Sequence, residues 1–130
     1  MSLEDLRSKF IVDDDVLKVK LETLVNKALH HCVIDKKGNV HFNNAKLTTR
    51  EKMKLTLAAR AVAAQLDGKI SPDVSVDELI ASTGLPRDQV RARAAELVKA
   101  RLARSEKTGV YTAIPHRVED LIDSIEPGKK

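Results

Sequence analysis

The chain has 130 residues, of which 42% are hydrophobic and 32% are charged, and its formal net charge is +4. These values indicate one globular core of ordinary size and a well-solvated surface. No apolar run is long enough to cross a membrane, and the single cysteine, Cys32, excludes a disulfide within the chain. Because the first residues also lack the basic-then-apolar pattern of a secretory leader, we expect a cytoplasmic protein.

Two helices are predicted in the first thirty residues. Leu3, Leu6 and Phe10 recur at helical spacing and predict a short amphipathic segment. A longer helix is expected to begin at the acidic residues 13–15, where carboxylates favour the exposed amides of a helix start, and to run to about His30. Its predicted apolar face consists of Leu17, Leu21, Leu24, Val25, Ala28 and Leu29.

A β-hairpin is predicted next, with strands at residues 32–34 and 40–42. A turn at residues 36–39 pairs Ile34 with His41. This register decides which side chains share a face of the hairpin, because side chains alternate along a strand.

Residues of the types that bind metals lie near this hairpin: His30, His31, Cys32 and His41. The predicted register places Cys32 and His41 on the same face. The spacing of the four matches no zinc signature, since zinc usually takes a second Cys or a defined pair of helical His residues. We therefore expect a structural or surface role for these side chains, with no metal and no cofactor.

The middle of the chain is predicted to be one long helix, Thr49–Leu66. Thr48 and Glu51 have the spacing of a capping box, in which each side chain accepts a hydrogen bond from the backbone of the other residue. The apolar positions cover a wide arc, so this helix should pack on more than one side. Those positions are Met53, Leu57, Ala58, Ala61, Val62 and Leu66.

Residues 74–114 carry the most informative pattern, which predicts a helix, a tight turn, a second helix and a hairpin in that order. Ser75 and Glu78 form a second capping box at the start of the first helix. Gly84 is expected to end that helix with a positive φ, and Pro86 to open the next one.

The second helix of this segment is expected to run to about Arg101. Counting 100° per residue, its inward stripe is Val90, Ala94 and Leu97, followed by Ala100 or Arg101. The hairpin after it should have strands at residues 102–104 and 110–114 around a turn at 105–109. Residues 69–71 or 74–76 are the two candidates for a short strand that pairs with this hairpin.

These elements resemble the winged helix-turn-helix family. The turn ThrGlyLeuPro, the core positions Val90 and Leu97, and a wing ending in GlyValTyr carry the resemblance, and the long central helix lies where the first helix of the family lies. The resemblance covers roughly two-thirds of the chain. The implied fold is mainly α with small β. Residues 1–45 form an N-terminal helix and β-hairpin extension, 46–126 the winged helix-turn-helix domain with a C-terminal helix, and 127–130 a tail.

Pro115 is expected to open the C-terminal helix. Its narrow apolar stripe consists of Val118, Leu121, Ile122 and Ile125. One alternative is that this stripe packs on the N-terminal helix of the same chain. The other is a homodimer through the equivalent stripe of a second copy, which would place two recognition helices on successive half-sites of a duplex. The residues leave both alternatives open.

Charge and aromatic content favour double-stranded DNA as the partner. Basic residues concentrate in 36–60 and 87–107, and segregated charge of this kind favours phosphate contacts. Readers of single strands stack bases on several exposed rings, whereas this chain has two Phe and one Tyr, and Phe10 and Phe42 are expected to anchor the core. A helix in the major groove needs no such stacking.

The resemblance implies particular roles for the basic residues. The recognition helix would contact DNA through Arg87, Gln89, Arg91, Ala92 and Lys99. Phosphate contacts would come from the central helix and the wing, through Arg50, Lys52, Lys54, Arg104 and Lys107. The sequence has no catalytic motif, so we expect a transcription regulator and not an enzyme. The alternative function is a winged-helix module for protein interaction or ribonucleoprotein assembly, without base readout.

Overall fold

The structure is a computed structural model that describes residues 2–11 and 16–125. Its α-helices are Leu3–Phe10 (α1), Val16–Val19 (α2), Leu21–Leu29 (α3), Thr49–Leu66 (α4), Val76–Thr83 (α5), Arg87–Lys99 (α6) and Val118–Asp123 (α7). Pro115, predicted to open the C-terminal helix, instead opens a short 3-10 helix, Pro115–Arg117, directly before α7. Its strands are Cys32–Ile34 (β1), Val40–Phe42 (β2), Val74–Ser75 (β3), Ala103–Lys107 (β4) and Val110–Ala113 (β5). The predicted mainly α fold with small β is confirmed at this level. The acidic residues 13–15, predicted to open a helix, and the predicted tail 127–130 lie outside the described residues.

Helix α4 is the centre of the core and has the predicted bounds. The Thr48 hydroxyl accepts from the backbone N–H of Glu51 at 3.1 Å, and the Glu51 carboxylate accepts from the N–H of Thr48 at 2.9 Å. These two bonds satisfy amides that a helix start leaves without partners. Because α4 packs against α3, α5, α7 and the β1–β2 hairpin, it is buried on several sides, as its wide apolar arc predicts. Leu66 is the exception in that arc, because it is 62% exposed at the end of the helix.

The stripe of α7 is buried within the chain. Val118, Leu121, Ile122 and Ile125 are between 0% and 3% exposed, and α7 packs on α4 and α3. The intramolecular alternative is therefore the one observed. A homodimer through these four residues would require a surface that the folded chain does not expose.

Salt bridges join α3 to α7 at the edge of this contact. The Glu119 carboxylate forms salt bridges with Lys20 Nζ at 2.8 Å and with Lys27 Nζ at 2.9 Å. Lys27 Nζ also forms a salt bridge with the Asp123 carboxylate at 2.9 Å. The hydrogen bonds from Lys20 and then from Lys27 hold the pKa of Glu119 below its ordinary value of 4.5. A carboxyl whose pKa is lowered by folding stabilises the fold above its unfolded pKa and loses that contribution as the pH falls through its folded pKa.

We therefore expect Glu119→Gln to flatten the acid limb of the stability profile. The wild-type urea midpoint should fall between pH 5 and pH 3, and the variant should lose less over that interval, because glutamine does not titrate. Glu22→Gln on the exposed face of α3 is the matched control, and its profile should follow the wild type. Parallel profiles for wild type and Glu119→Gln would contradict this role of the cluster.

The register of the β1–β2 hairpin differs from the predicted one. Ile34 pairs with Val40, so the loop is residues 35–39 and is one residue longer than predicted. The Asp35 carboxylate accepts from the backbone N–H groups of Lys37 at 2.9 Å and Asn39 at 3.0 Å, which draws Asp35 into the turn.

This register corrects the predicted faces of the hairpin. Cys32 pairs with Phe42, and His41 pairs with Val33, so Cys32 and His41 lie on opposite faces. Cys32 is 2% exposed in the core, whereas His41 is exposed and lies 2.8 Å from Asp35. The prediction that Cys32 and His41 share a face was wrong because a loop longer by one residue shifts every later side chain to the other face.

The N-terminal helices also differ from prediction. The predicted helix up to His30 is divided into α2 and α3 by a turn at Lys20, and Leu29 of its expected apolar face is 50% exposed. Phe10 is 88% exposed, so its prediction as a core anchor was wrong. Phe42 is half-buried against a small apolar cluster and does help to anchor the core.

The segment from β3 to β5 has the predicted order of elements. The capping box of Ser75 and Glu78 is present, and Gly84 ends α5 with a φ of 77°. Of the two strand candidates, the second is observed, since β3 pairs with β5 and the sheet order is β3-β5-β4. Strand β4 runs further than predicted, to Lys107, and its register with β5 is irregular between Arg104 and Lys107.

The predicted end of α6 needs correction. Val90, Ala94 and Leu97 are buried as predicted, but the helix ends at Lys99. Ala100 and Arg101 are exposed and do not continue the inward stripe. Arg101 has a φ of 62°, a left-handed conformation that turns the chain out of the helix and toward β4.

Candidate nucleic-acid interface

The exposed face of α6 is the centre of the candidate interface. Val90, Ala94 and Leu97 hold the helix against α5 and β4 from the opposite side. Because residues of a helix repeat every 3.6 positions, burying that stripe leaves a separate face in solvent. The exposed residues on it are Arg87, Asp88, Gln89, Arg91, Ala92, Ala95, Glu96 and Lys99.

Ion pairs divide the arginines of α6 into two groups. Arg87 pairs with Asp77 of α5 at 2.5 Å, and Arg93 pairs with Glu96 at 2.6 Å. Within residues 2–11 and 16–125, Arg91 and Lys99 form no ion pair. Arg91 is therefore the uncompensated guanidinium on the first half of α6, with the short side chain of Ala92 next to it.

The wing adds fewer free charges than its sequence indicates. Arg104 lies 3.6 Å from Glu106, and the Ser105 hydroxyl donates to the backbone carbonyl of Lys107 at 3.0 Å. Lys107 has no ion pair with any described residue. It lies directly before the Thr108–Gly109 turn, where Gly109 adopts a φ of 77°.

The three predicted phosphate contacts on α4 lie on a different part of the molecule. Arg50 is exposed in the first turn of α4, and Lys52 and Lys54 are half-buried. The Lys52 ammonium lies 5.7 Å from the centre of the Phe42 ring, over the β1–β2 hairpin. Helix α6 packs instead on α5 and β4. The candidate residues of α6 and of the wing therefore lie on elements that pack against each other, whereas Lys52 of α4 lies by the hairpin.

Arg60 belongs to neither set, although its sequence position is in the basic stretch 36–60. Its side chain is 7% exposed. The guanidinium donates to the backbone carbonyls of Ser71 at 2.8 Å and Asp73 at 2.9 Å, and it also contacts the carboxylate of Glu78. Its role is structural. The sequence signal was its spacing of seven residues from Met53, which places Arg60 at the edge of the predicted apolar arc, where an unpaired cation would be costly.

The side chains by the hairpin do not form a metal centre among the described residues. Burial raises the pKa of the Cys32 thiol to about 11, so this thiol stays protonated at neutral pH. Burial, followed by the neighbouring His30, lowers the pKa of His31, and the Asn44 amide lies 3.4 Å from the Nδ1 atom of His31.

Comparison with protein-family models, with curated proteins and with solved structures finds no match to this chain. Any assignment of function must therefore come from the geometry and charge of the residues themselves. Among the described residues, no helix is both long and apolar enough to cross a membrane.

Proposed function

We propose that this protein is a winged helix-turn-helix protein that binds double-stranded DNA, and that it regulates transcription without catalysing a reaction. Support for the fold assignment comes from the order α4, β3, α5, α6, β4, β5 and from the strand order β3-β5-β4. In this arrangement α6 is the recognition helix and the β4–β5 hairpin is the wing. The observation that carries the proposal is Arg91, an exposed guanidinium on the free face of α6 that has no acidic partner in the described part of the chain.

The balance of charge on this surface favours phosphate binding. Salt bridges already compensate Arg87, Arg93 and Arg104. The cations of residues 87–107 that form no ion pair with a described residue are Arg91, Lys99, Arg101 and Lys107. Of the exposed acids here, Glu96 and Glu106 pair with Arg93 and Arg104, whereas Asp88 forms no ion pair with a described residue, so the uncompensated charge on the surface is positive.

Each predicted contact has a chemical role in this proposal. Arg91 presents two parallel N–H donors, which match the O6 and N7 acceptors of guanine, and Gln89 has the donor and acceptor that adenine requires. The side chains of Ala92 and Ala95 are short, so they allow the backbone of α6 to approach the groove closely. Lys99 and Lys107 bind phosphates beside it. Arg50, Lys52 and Lys54 serve phosphates of a flanking segment, with no part in base readout.

The second candidate function is a protein-interaction or ribonucleoprotein module. Two acids favour it, because Asp88 is exposed in the first turn of α6 and the Glu106 side chain in the wing is 83% exposed. Both repel phosphates if they face a duplex. A partner with basic side chains would accept them.

Salt dependence of binding to a random DNA duplex separates the two functions. For the five phosphate contacts proposed above, the logarithm of the association constant should fall against the logarithm of the salt concentration with a slope of roughly −4 to −5. Fluorescence anisotropy with a labelled duplex measures this slope. An absence of binding at low salt would overturn the DNA proposal.

Variants that change a single charge give a second test of duplex binding in the same titration. Asp88→Asn removes the opposing acid and should tighten binding to every duplex by a few-fold, whereas Lys52→Ala should weaken every duplex alike. Glu22→Asn, on α3, is the matched control and should leave the affinity unchanged.

A further inference from the structure

Two apolar surfaces in the described part of the chain are exposed to solvent. The first is the stripe of α1, on which Leu3 is 83%, Leu6 49% and Phe10 88% exposed, continued by Ile11 at 62%. Helix α1 has eight residues and no extensive packing contact with another described element. Helices this short are marginal in water, so a stable α1 requires a surface to pack against.

The second surface is a groove between α3, β1 and the C-terminal half of α4. It encloses about 350 Å³, and its floor is formed by small apolar side chains of α4 such as Ala59 and Ala63. Leu29, Val33 and Leu66 stand on its rim and are 50%, 48% and 62% exposed. A groove with this lining accepts an amphipathic helix.

We propose that α1 of a second copy occupies this groove, and that the two copies exchange their α1 helices in a symmetric dimer. Such an exchange is isologous, since each chain donates its stripe and receives the stripe of its partner. The proposal does not depend on DNA binding. It also uses a different surface from α7, whose apolar stripe is already buried.

The charges on α1 and on the groove, and the apolar area of the two surfaces, both support a second copy of the chain as the partner in the groove. Arg7 lies between Leu3 and Phe10 on α1, and the Asp67 side chain lines the groove, so opposite charges meet when α1 docks. The exposed large apolar side chains of the two surfaces, counted in both copies, offer on the order of 1,000 Å² for burial, which is the size at which specific interfaces begin. Within one chain, α1 does not make extensive contact with this groove.

The mass of the full-length protein in solution is the first test. Light scattering and sedimentation should show a dimer for the wild type, and Phe10→Ser should raise its dissociation constant roughly 100-fold or more, because each dimer loses two buried rings. Val33→Glu, in the groove, should have the same effect. Val19→Ser is the matched control, since Val19 is 83% exposed but lies on neither surface. A monomeric wild type at all concentrations would overturn the proposal.

A disulfide between two copies tests the occupant directly. Every variant carries Cys32→Ser, because native Cys32 lines the groove and could itself form the link. One copy carries Lys9→Cys, which keeps Phe10 in place, the other carries Leu66→Cys and a size tag, and mild oxidation of the mixture should link them. Val19→Cys mixed with Leu66→Cys should not link. The double variant Lys9→Cys/Leu66→Cys should yield linked dimers. Closure within single chains would show that α1 occupies its own groove, and a failure to link would show that α1 does not dock there; either result would overturn the proposal.

Discussion

Replacing Arg60 with methionine is expected to lower the free energy of unfolding by about 3 kcal/mol. Methionine keeps much of the volume on α4 and removes the charge and all of the hydrogen-bond donors. The measurement is the urea unfolding midpoint at neutral pH. Arg93→Met, the same change at an exposed salt bridge of α6, should cost less than about 1 kcal/mol.

The size of this effect follows from what the Arg60 guanidinium joins. It contacts the backbone carbonyls of Ser71 and Asp73 before β3, the carbonyl of Gly38 in the β1–β2 loop at 3.4 Å, and the carboxylate of Glu78 on α5. Without Arg60, these acceptors lose their donor in a part-buried site. The Glu78 side chain is 40% exposed, so water recovers part of its loss, and the expected value is at the lower end for a broken buried pair.

Acid unfolding gives this prediction a second readout. Burial alone would raise the pKa of Glu78, but the hydrogen bonds from Arg60 and from the backbone of Ser75 outweigh it and lower the pKa. The wild type therefore loses stability as the pH falls below about 4.5, and Arg60→Met should lose less over the same interval because the pKa of Glu78 returns upward. An unfolding free energy within 1 kcal/mol of wild type would contradict the structural role of Arg60.

Local signals in the sequence predicted the bounds of α4 and α5 well. The capping boxes at Thr48 and Ser75 act within a single helical turn, and so does the left-handed Gly84 at the end of α5. The inward residues Val90 and Leu97 follow from helical periodicity alone. For the same reason, the exposure of Arg91 on the candidate interface was predictable.

The features that were missed depend on side-chain contacts that hydrophobic periodicity does not reveal. The β1–β2 register depends on the Asp35 side chain, which bonds its own turn and adds one residue to the loop. Helical spacing predicts that Phe10 belongs to an apolar stripe, but it does not indicate whether that stripe packs against the same chain or against another chain. The pairing of Arg87 with Asp77 joins two helices, and no pattern within α6 reveals that this cation is already compensated.

The Arg91→Glu variant is expected to reduce affinity for duplex DNA by about 100-fold, because it removes a donor pair at the groove and adds repulsion from phosphates. Arg93→Glu is the matched control on the same helix. Arg93 is half-buried and already paired with Glu96, so reversing its charge should cost much less affinity. Anisotropy titrations at fixed salt, with circular dichroism to verify folding, measure both variants.

A milder change at the same position separates base readout from charge. Arg91→Ala should reduce the preference for one duplex sequence over another by about 1–3 kcal/mol, whereas Lys99→Ala should weaken all duplexes equally and make the salt slope shallower by about 1. Selection from a randomised duplex pool measures the preference. Equal, sequence-blind losses for Arg91→Ala and Lys99→Ala would mean that α6 binds the backbone without reading bases. Unchanged affinity in both variants would exclude α6 as the DNA surface and favour the protein-interaction alternative, in which Asp88 and Glu106 meet a basic partner.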